Sequence, residues 1–276
     1  MSRAKALQYY VLERLLLAPL MLWTIVTLVF LILRATPGDP ADAILGPRAP
    51  EAAKAALREQ LGLADPLWLQ YLNYLGSLLR LDLGTSLTSQ GRPVWQIVWS
   101  HFPATLELTL YAMGVATVVG LAVGTLAAAR PGTPLDLGSR LFGIITYSLP
   151  LFWLGMILQL TFAVGLGWFP LGRRYAASSR PTELTGLYSL DGLLTANLEQ
   201  VAIAFHYLAL PALTLGLIQS GIFERIVRVN LKQTLVADYV EAARARGISE
   251  GRILVAHALK NALIPVITVL GLTIAG

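Results

Sequence analysis

The stretch Asp238-Tyr-Val-Glu-Ala-Ala-Arg-Ala-Arg-Gly-Ile-Ser-Glu-Gly-Arg-Ile-Leu-Val-Ala-His-Ala-Leu-Lys-Asn-Ala-Leu-Ile-Pro265 is a polar block between two uncharged apolar runs, residues 201–223 and 261–276. Asp238 is placed to cap a helix with Glu241 three residues on, the capping-box spacing with Asp in place of Ser or Thr. Ala242, Ala243 and Ala245 keep that helix thin, and Gly247 supplies the left-handed conformation that ends it. Ser249 then caps a second helix that carries Arg252, His257 and Lys260 toward the membrane. Two short helices about a glycine hinge make a compact knob of small and charged residues. Local physics leaves two readings open: a solvated loop with ordinary caps, or a knob that inserts into a groove on a soluble protein.

Working outward, the surroundings of the block are those of a membrane protein. Hydrophobic residues make up 55% of the 276 and charged residues 13%, where soluble proteins carry about 25% charged residues. Uncharged apolar stretches cover residues 15–33, 108–129, 141–172, 201–223 and 261–276. The first four reach the roughly 20 residues needed to cross a hydrocarbon core. The fifth, at 16 residues, rises only about 24 Å, which predicts a span completed by something beyond it. The first stretch follows Arg3, Lys5 and Arg14, yet its 19 uncharged residues exceed a signal-peptide core and Arg34-Ala-Thr-Pro37 is not an A-x-A-like cleavage site, so it reads as a retained anchor.

Orientation follows from Lys and Arg. With the N-terminus inside, Arg130 and Arg140 fall in one inside loop, and Arg225, Arg228, Lys232, Arg244, Arg246, Arg252 and Lys260 in the next. Most basic residues left outside are spread over a long region from Arg34 to Pro103 that also holds six carboxylates, and long loops count little in this rule. The polar block therefore faces the cytoplasm. Topology accounts for the net charge of +5 better than nucleic-acid binding does.

The long outside region is expected to be partly helical. Pro50 opens an Ala-rich run over residues 51–61 that ends at Gly62. Leu67, Trp68, Tyr71, Leu72, Leu75, Leu78 and Leu79 then describe an amphipathic helix, packed on the bundle or facing an external partner. Trp95, Val98, Trp99 and Phe102 read as an interfacial lead-in to the second span. In that span Ala112, Ala116, Gly120, Gly124 and Ala128 put a small residue at every fourth position, a ridge for close helix approach within the bundle or between subunits. Pro150, Pro211 and Pro265 each remove a backbone donor and can kink a span, for gating or for purely structural reasons. Glu107, Gln159, His206 and Gln219 are the polar groups in or near spans, with Glu107 expected near an interface and in reach of water.

Chemistry is conspicuous by what is missing from the sequence. There is no cysteine, and His101, His206 and His257 stand too far apart for a metal pair at helical spacing, so no metal site and no catalytic residues are assigned. No G-x-x-x-x-G-K-[ST], H-E-x-x-H or G-x-S-x-G stretch occurs. If ATP drives a transport function, another chain hydrolyses it.

The block also resembles, at Glu241, Ala242, Ala243 and Gly247, the Glu-Ala-Ala-x-x-x-Gly loop by which permease subunits of ABC importers dock onto their ATPases. Across nearly its whole length the chain is similar to permeases of the dipeptide, oligopeptide and nickel ABC importers. The matching stretches are Pro37-Gly-Asp-Pro40, Leu61-Gly-Leu63 with Pro66-Leu-Trp68, Asp82-Leu-Gly84, Gly91-Arg-Pro93, Pro103-Ala-Thr-Leu-Glu-Leu108, Pro150-Leu-Phe-Trp-Leu-Gly155, Gly167-Trp-Phe-Pro170 and Asn261-Ala-Leu-Ile-Pro265. In the general pattern the Pro follows the Gly more closely than the 18 positions between Gly247 and Pro265, a lengthening that also resembles this subfamily.

The resemblance implies an all-α polytopic helix bundle of the ABC-importer permease type, with six spans in the complete protein and about five here. It implies residues 1–34 as N-terminus and first span, 35–103 as the external region, and 104–276 as the permease core with a cytoplasmic coupling loop at 224–262. The implied setting is a prokaryotic cytoplasmic membrane. The implied partners are a second homologous permease, one or two cytoplasmic ATPase subunits that hold ATP and Mg²⁺, and an external substrate-binding protein. This chain would be a translocation subunit rather than an enzyme, working by alternating access, without a cofactor of its own. The competing readings are an ion-gradient-driven secondary transporter, which would need buried carboxylates in its spans, and a non-transporting membrane scaffold.

Overall fold

The computed structural model describes residues 3–275 except 37, 87, 88, 90 and 177–180, with the backbone alone at 3–8, 43, 60, 274 and 275. Pro37 of the Pro37–Pro40 motif and Gly276 of the last apolar stretch lie outside the described residues, as do the side chains of Arg3 and Lys5. Among the described residues the chain is helical and holds no strand. The helices, in order, are α1 (Arg3–Ala35), α2 (Pro40–Leu45), α3 (Glu51–Gln60), α4 (Leu67–Leu79), α5 (Val94–Ala129), α6 (Pro134–Ser148), α7 (Leu151–Leu158), α8 (Tyr188–Leu194), α9 (Leu198–Leu235), α10 (Asp238–Ala245), α11 (Glu250–Arg252) and α12 (Leu259–Ala275). Short π-helical segments, Gln159–Gly165 and Ile253–Ala258, extend α7 and join α11 to α12. Among the described residues four helices are long and apolar enough to cross a membrane, or five spans if the bent pair α6 and α7 counts as one.

By internal packing the chain forms two units, one up to Ser100 and one from His101. In the first unit the expected helices appear as α3 and α4, and the chain turns at Gly62 with φ +63°. Phe30 of α1 is packed between the rings of Tyr71 and Tyr74 on α4. Beside it Thr27 and Tyr71 share a hydroxyl hydrogen bond of 2.6 Å, and Arg34 Nε donates to Gln70 Oε1 at 2.7 Å. Gln70 is buried because its amide is used up: Nε2 donates to the carbonyls of Leu63 and Asp65. Asp39 caps α2 by accepting from Ala41 N, and the Arg58 guanidinium holds its carboxyl below the ordinary value.

In the second unit, α5, α9 and α12 meet around Met113, Ala116, Phe223, Val227 and Val266. All five ridge residues, Ala112, Ala116, Gly120, Gly124 and Ala128, are buried. The two glycines face α9: a Cβ on Gly124 would lie 2.7 Å from the Glu224 carbonyl oxygen, and one on Gly120 would collide with Phe223 Cβ.

Three expectations change. The apolar stretch 141–172 is no single straight span, because α6 and α7 bend by 103° at Leu149–Pro150. The residue before a proline is driven out of the helical region, and Leu149 accordingly sits at ψ 126°. Pro211 and Pro265 both lie inside helices that continue past them. The fifth span is not short, since the helical path begins at Glu250 and runs 24 residues to Thr273, about 36 Å. Arg252, His257 and Lys260 ride on its first turns, where long basic side chains reach water while their stems stay apolar. Likewise the first dozen residues of the expected loop 224–262 are the last turns of α9.

Glu107 is also placed differently from the sequence expectation. It is 2% exposed and accepts from Arg174 Nη2 at 2.8 Å and from the Ser189 amide and hydroxyl at 2.7 Å each. Arg174 in turn lies over the Tyr188 ring at 4.1 Å and donates to the Gly186 carbonyl. Asp191 binds the loop before α8 through the amides of Leu184, Thr185 and Gly186. Burial pushes its carboxyl upward, but these donors and the Thr185 hydroxyl outweigh that and hold it below the ordinary range.

Candidate docking knob

The last turn of α9 ends at Val236, and the chain becomes extended at Ala237, which caps α10 in place of Asp238. Asp238 is instead the first helical residue, where with Glu241 it sets negative charge against the helix N-terminus. At the other end Ile248 N donates to Ala243 O at 3.2 Å and Gly247 N to Arg244 O at 2.9 Å, the paired bonds of a Schellman closure. That closure requires a left-handed residue, and Gly247 has φ +75° with nothing near its Cβ position. Ser249 occupies the cap of α11 without a side-chain capping bond; its carbonyl accepts from Ile253 N.

Inside the knob Val240, Ala243 and Ile253 form a small buried core, with Leu235 and Ile248 packed on it. Of the four predicted docking residues, Glu241, Ala242 and Gly247 are therefore exposed, while Ala243 faces inward. Turning Ala243 inward lets α10 lie close against Ile253, since a larger side chain there would lift the helix.

Arg244, absent from the sequence assignment, is the knob's tie. Its Nε and Nη2 donate to the two carboxylate oxygens of Glu250 at 2.7 and 3.2 Å, and its Nη1 to the Leu235 carbonyl at 3.3 Å. One guanidinium thus joins the end of α9, α10 and the start of α11, in the fork geometry that favours Arg over Lys. The six-residue spacing to Glu250 across a glycine was the only signal of it. A second link joins Asn261 Nδ2 to the Tyr239 hydroxyl at 2.8 Å. Just above the knob, Asp136 at the start of α6 accepts from Lys232 Nζ of α9 at 2.8 Å and from Arg140 Nη2 at 3.0 Å. The knob is thus linked to α9 and α12, and α9 through Asp136 to α6.

Comparison with known proteins identifies the family in which this arrangement occurs. Residues 120–276 match the family described as binding-protein-dependent transport system inner membrane component, and residues 7–109 match the N-terminal part of such membrane components. The chain is 38% identical to the dipeptide transport system permease protein DppB of Alkalihalophilus pseudofirmus, over 96% of this chain and 79% of that protein. It is 41% identical to the di/tripeptide transport system permease protein DppB of Pseudomonas aeruginosa, over 90% and 74%. To the oligopeptide transport system permease protein AppB of Bacillus subtilis it is 35% identical, over 96% and 78%. A helix bundle with four or five membrane-crossing elements, matched by these profiles over nearly its whole length, is a multi-pass ABC transporter permease, and the chain belongs to the binding-protein-dependent transport system inner membrane component family.

Proposed function

We propose that this chain is one permease of an ATP-driven importer that passes peptides from an external binding protein into a prokaryotic cell, with its N-terminus and knob on the cytoplasmic side. The peptide substrate rests on the relatives, whose names specify dipeptides, tripeptides and oligopeptides. The orientation rests on the basic residues gathered at Arg225, Arg228, Lys232, Arg244, Arg246, Arg252 and Lys260. Its partners are a second homologous permease and one or two ATPase subunits, which would hold ATP and Mg²⁺.

The knob carries the reading. It is a closed unit with its own core and an exposed face at Glu241, Ala242 and Gly247, joined by a two-residue break to α9 on one side and through α11 and its π-helical extension to α12 on the other. Small residues on that face let a groove approach the backbone, and Glu241 gives the groove a charge to recognise. Closure of the ATPases would move the knob and, through α9, α12 and the Asp136–Lys232 pair, re-aim the spans. Only a groove that grips the knob differently in its two states can shift the equilibrium between outward and inward openings.

An ion-gradient transporter needs buried carboxylates free to exchange protons. Four carboxylates in this unit are buried, Glu107, Asp136, Asp191 and Glu224, and the first three are saturated by donors, which suits fixed structural charge. The test is uptake into proteoliposomes holding both permeases, the ATPases and loaded binding protein. Charge reversal in Glu241→Arg is expected to lower ATP-driven peptide uptake at least about tenfold, since like charge at a docking face costs several kcal/mol. Membrane insertion should not change, and the stability cost should stay within about 1 kcal/mol, because Glu241 is exposed and its charge acts locally on the α10 N-terminus and Arg244. Uptake at the wild-type rate would remove Glu241 from the docking face.

A further inference from the structure

Between α6 and α9 lies a cavity of about 570 Å³, walled by Arg140, Gly143 and Tyr147 on one side and Glu224, Arg225 and Arg228 on the other. This is within the usual range for small-ligand sites. Glu224 is fully buried. Its Oε1 accepts from Arg228 Nε at 2.7 Å, whereas its Oε2 has no hydrogen-bond donor among the described residues. A buried carboxylate oxygen without a donor is costly, and structures keep few of them without a reason.

Oε2 is closed off from solvent, and glycines, not larger side chains, pack beside it. Its neighbour is Gly143, where an added Cβ would stand 3.2 Å away, and Gly221, one helical turn before Arg225, lets Thr146 of α6 come close. Arg225, on the wall of the same cavity, is exposed and has no ion-pair partner among the described residues. One unfilled acceptor therefore lies sealed just behind the cavity wall and one unfilled cation stands on it, while the neighbouring charges Asp136, Arg140, Arg228 and Lys232 are already paired with one another or with Glu224.

We propose that this cavity is a transient site for the zwitterionic substrate, Glu224 Oε2 accepting from the peptide ammonium and Arg225 binding a peptide carboxylate. The proposal rests on the peptide-importer reading and adds to it a contact within the membrane-embedded chain. A paired site of this kind would hold a peptide's charged ends away from lipid during passage. Mutual pairing of the other charges leaves only these two groups to change partner as substrate enters and leaves.

The experiment uses the complete importer in proteoliposomes with L-alanyl-L-phenylalanine delivered by its binding protein. Glu224→Gln is expected to lower kcat for uptake about tenfold, the worth of one charge-assisted hydrogen bond. KM for loaded binding protein should stay the same, since docking of that protein is not involved. Gly143→Ala, which keeps the charge and crowds Oε2, should also lower kcat. A dipeptide bearing a photoreactive phenylalanine should label residues 140–148 and 218–228 in the wild type, and label them less in Glu224→Gln. Wild-type kcat in both variants, or labelling elsewhere, overturns the proposal. So does a carbodiimide cross-link from Glu224 to a lysine of the second permease, which would show that a subunit interface fills the acceptor. Equal loss of assembly, KM and kcat would assign Glu224 to packing alone and likewise overturn it. Failure of the wild type to import any peptide would instead overturn the importer reading, so the two failures are distinguishable.

Discussion

Gly124→Leu is expected to prevent α5 and α9 from packing and to yield protein that inserts but is not recovered as a monodisperse species in detergent. The obstruction is main chain: a Cβ at 124 lies 2.7 Å from the Glu224 carbonyl oxygen and 2.9 Å from Val227 Cβ. A flexible side chain could turn aside, but a carbonyl oxygen inside a continuous helix cannot. Overpacking ordinarily costs about 1–3 kcal/mol. Here the upper end applies, because separating the helices also opens the Met113, Ala116, Phe223, Val227 and Val266 cluster. If any folded fraction survives, about 3 kcal/mol should lower its melting temperature by roughly 6–12 °C. Gly114, ten residues earlier on the same helix, is exposed with nothing near its Cβ position. Gly114→Ala should therefore leave the melting temperature equal or slightly higher, as helix propensity alone predicts. A wild-type melting curve for Gly124→Leu would refute the account of this contact.

That ridge also shows how far the sequence could be read. Small residues four apart lie on one helix face whatever surrounds them, so Ala112 to Ala128 could be picked out by period alone. Their partners on α9 could not, since Phe223 and Val227 are ordinary apolar residues about a hundred positions away. The break at Pro150 was visible as a proline, but its 103° angle depends on how α7 packs afterwards. Charge is a poor boundary for the last span, whose helix begins at Glu250, before the uncharged run. Helical hydrogen bonding passes through Arg252 and Lys260 undisturbed when their side chains reach water. Burial of Glu107 is invisible in the sequence because its partners, Arg174 and Ser189, lie 67 and 82 positions on. In the knob, the residue types gave the two helices and the glycine between them. The inward direction of Ala243 and the fork from Arg244 to Glu250 depend on how α10 folds back on Ile253.

If the knob is the docking element proposed above, substitution at Gly247 should weaken binding to the ATPase subunits in proportion to the backbone cost of each residue. The position has φ +75° and donates its amide to Arg244 O. Asn tolerates the left-handed region and should retain most co-purification with the ATPase subunits. Ala loses about 1–2 kcal/mol there, which predicts a fivefold to thirtyfold weakening by roughly 1.4 kcal/mol per decade. Pro is incompatible with a positive φ and also removes the amide donor, a loss of about 3 kcal/mol or more, so co-purification and ATP-driven uptake should fall by roughly a hundredfold or beyond. The spans should be unaffected in all three variants, because Gly247 is exposed and touches neither the cluster at Met113 and Phe223 nor that at Ala128, Leu231, Ala258 and Ala262. Melting temperature in detergent is therefore the control that separates a lost knob from a lost bundle. The order Asn, Ala, Pro distinguishes a conformational requirement from a requirement for mere absence of a side chain, which would penalise Asn more than Ala. Gly247→Pro protein that binds ATPase as the wild type does would show that the knob's closed shape is not what the partner grips.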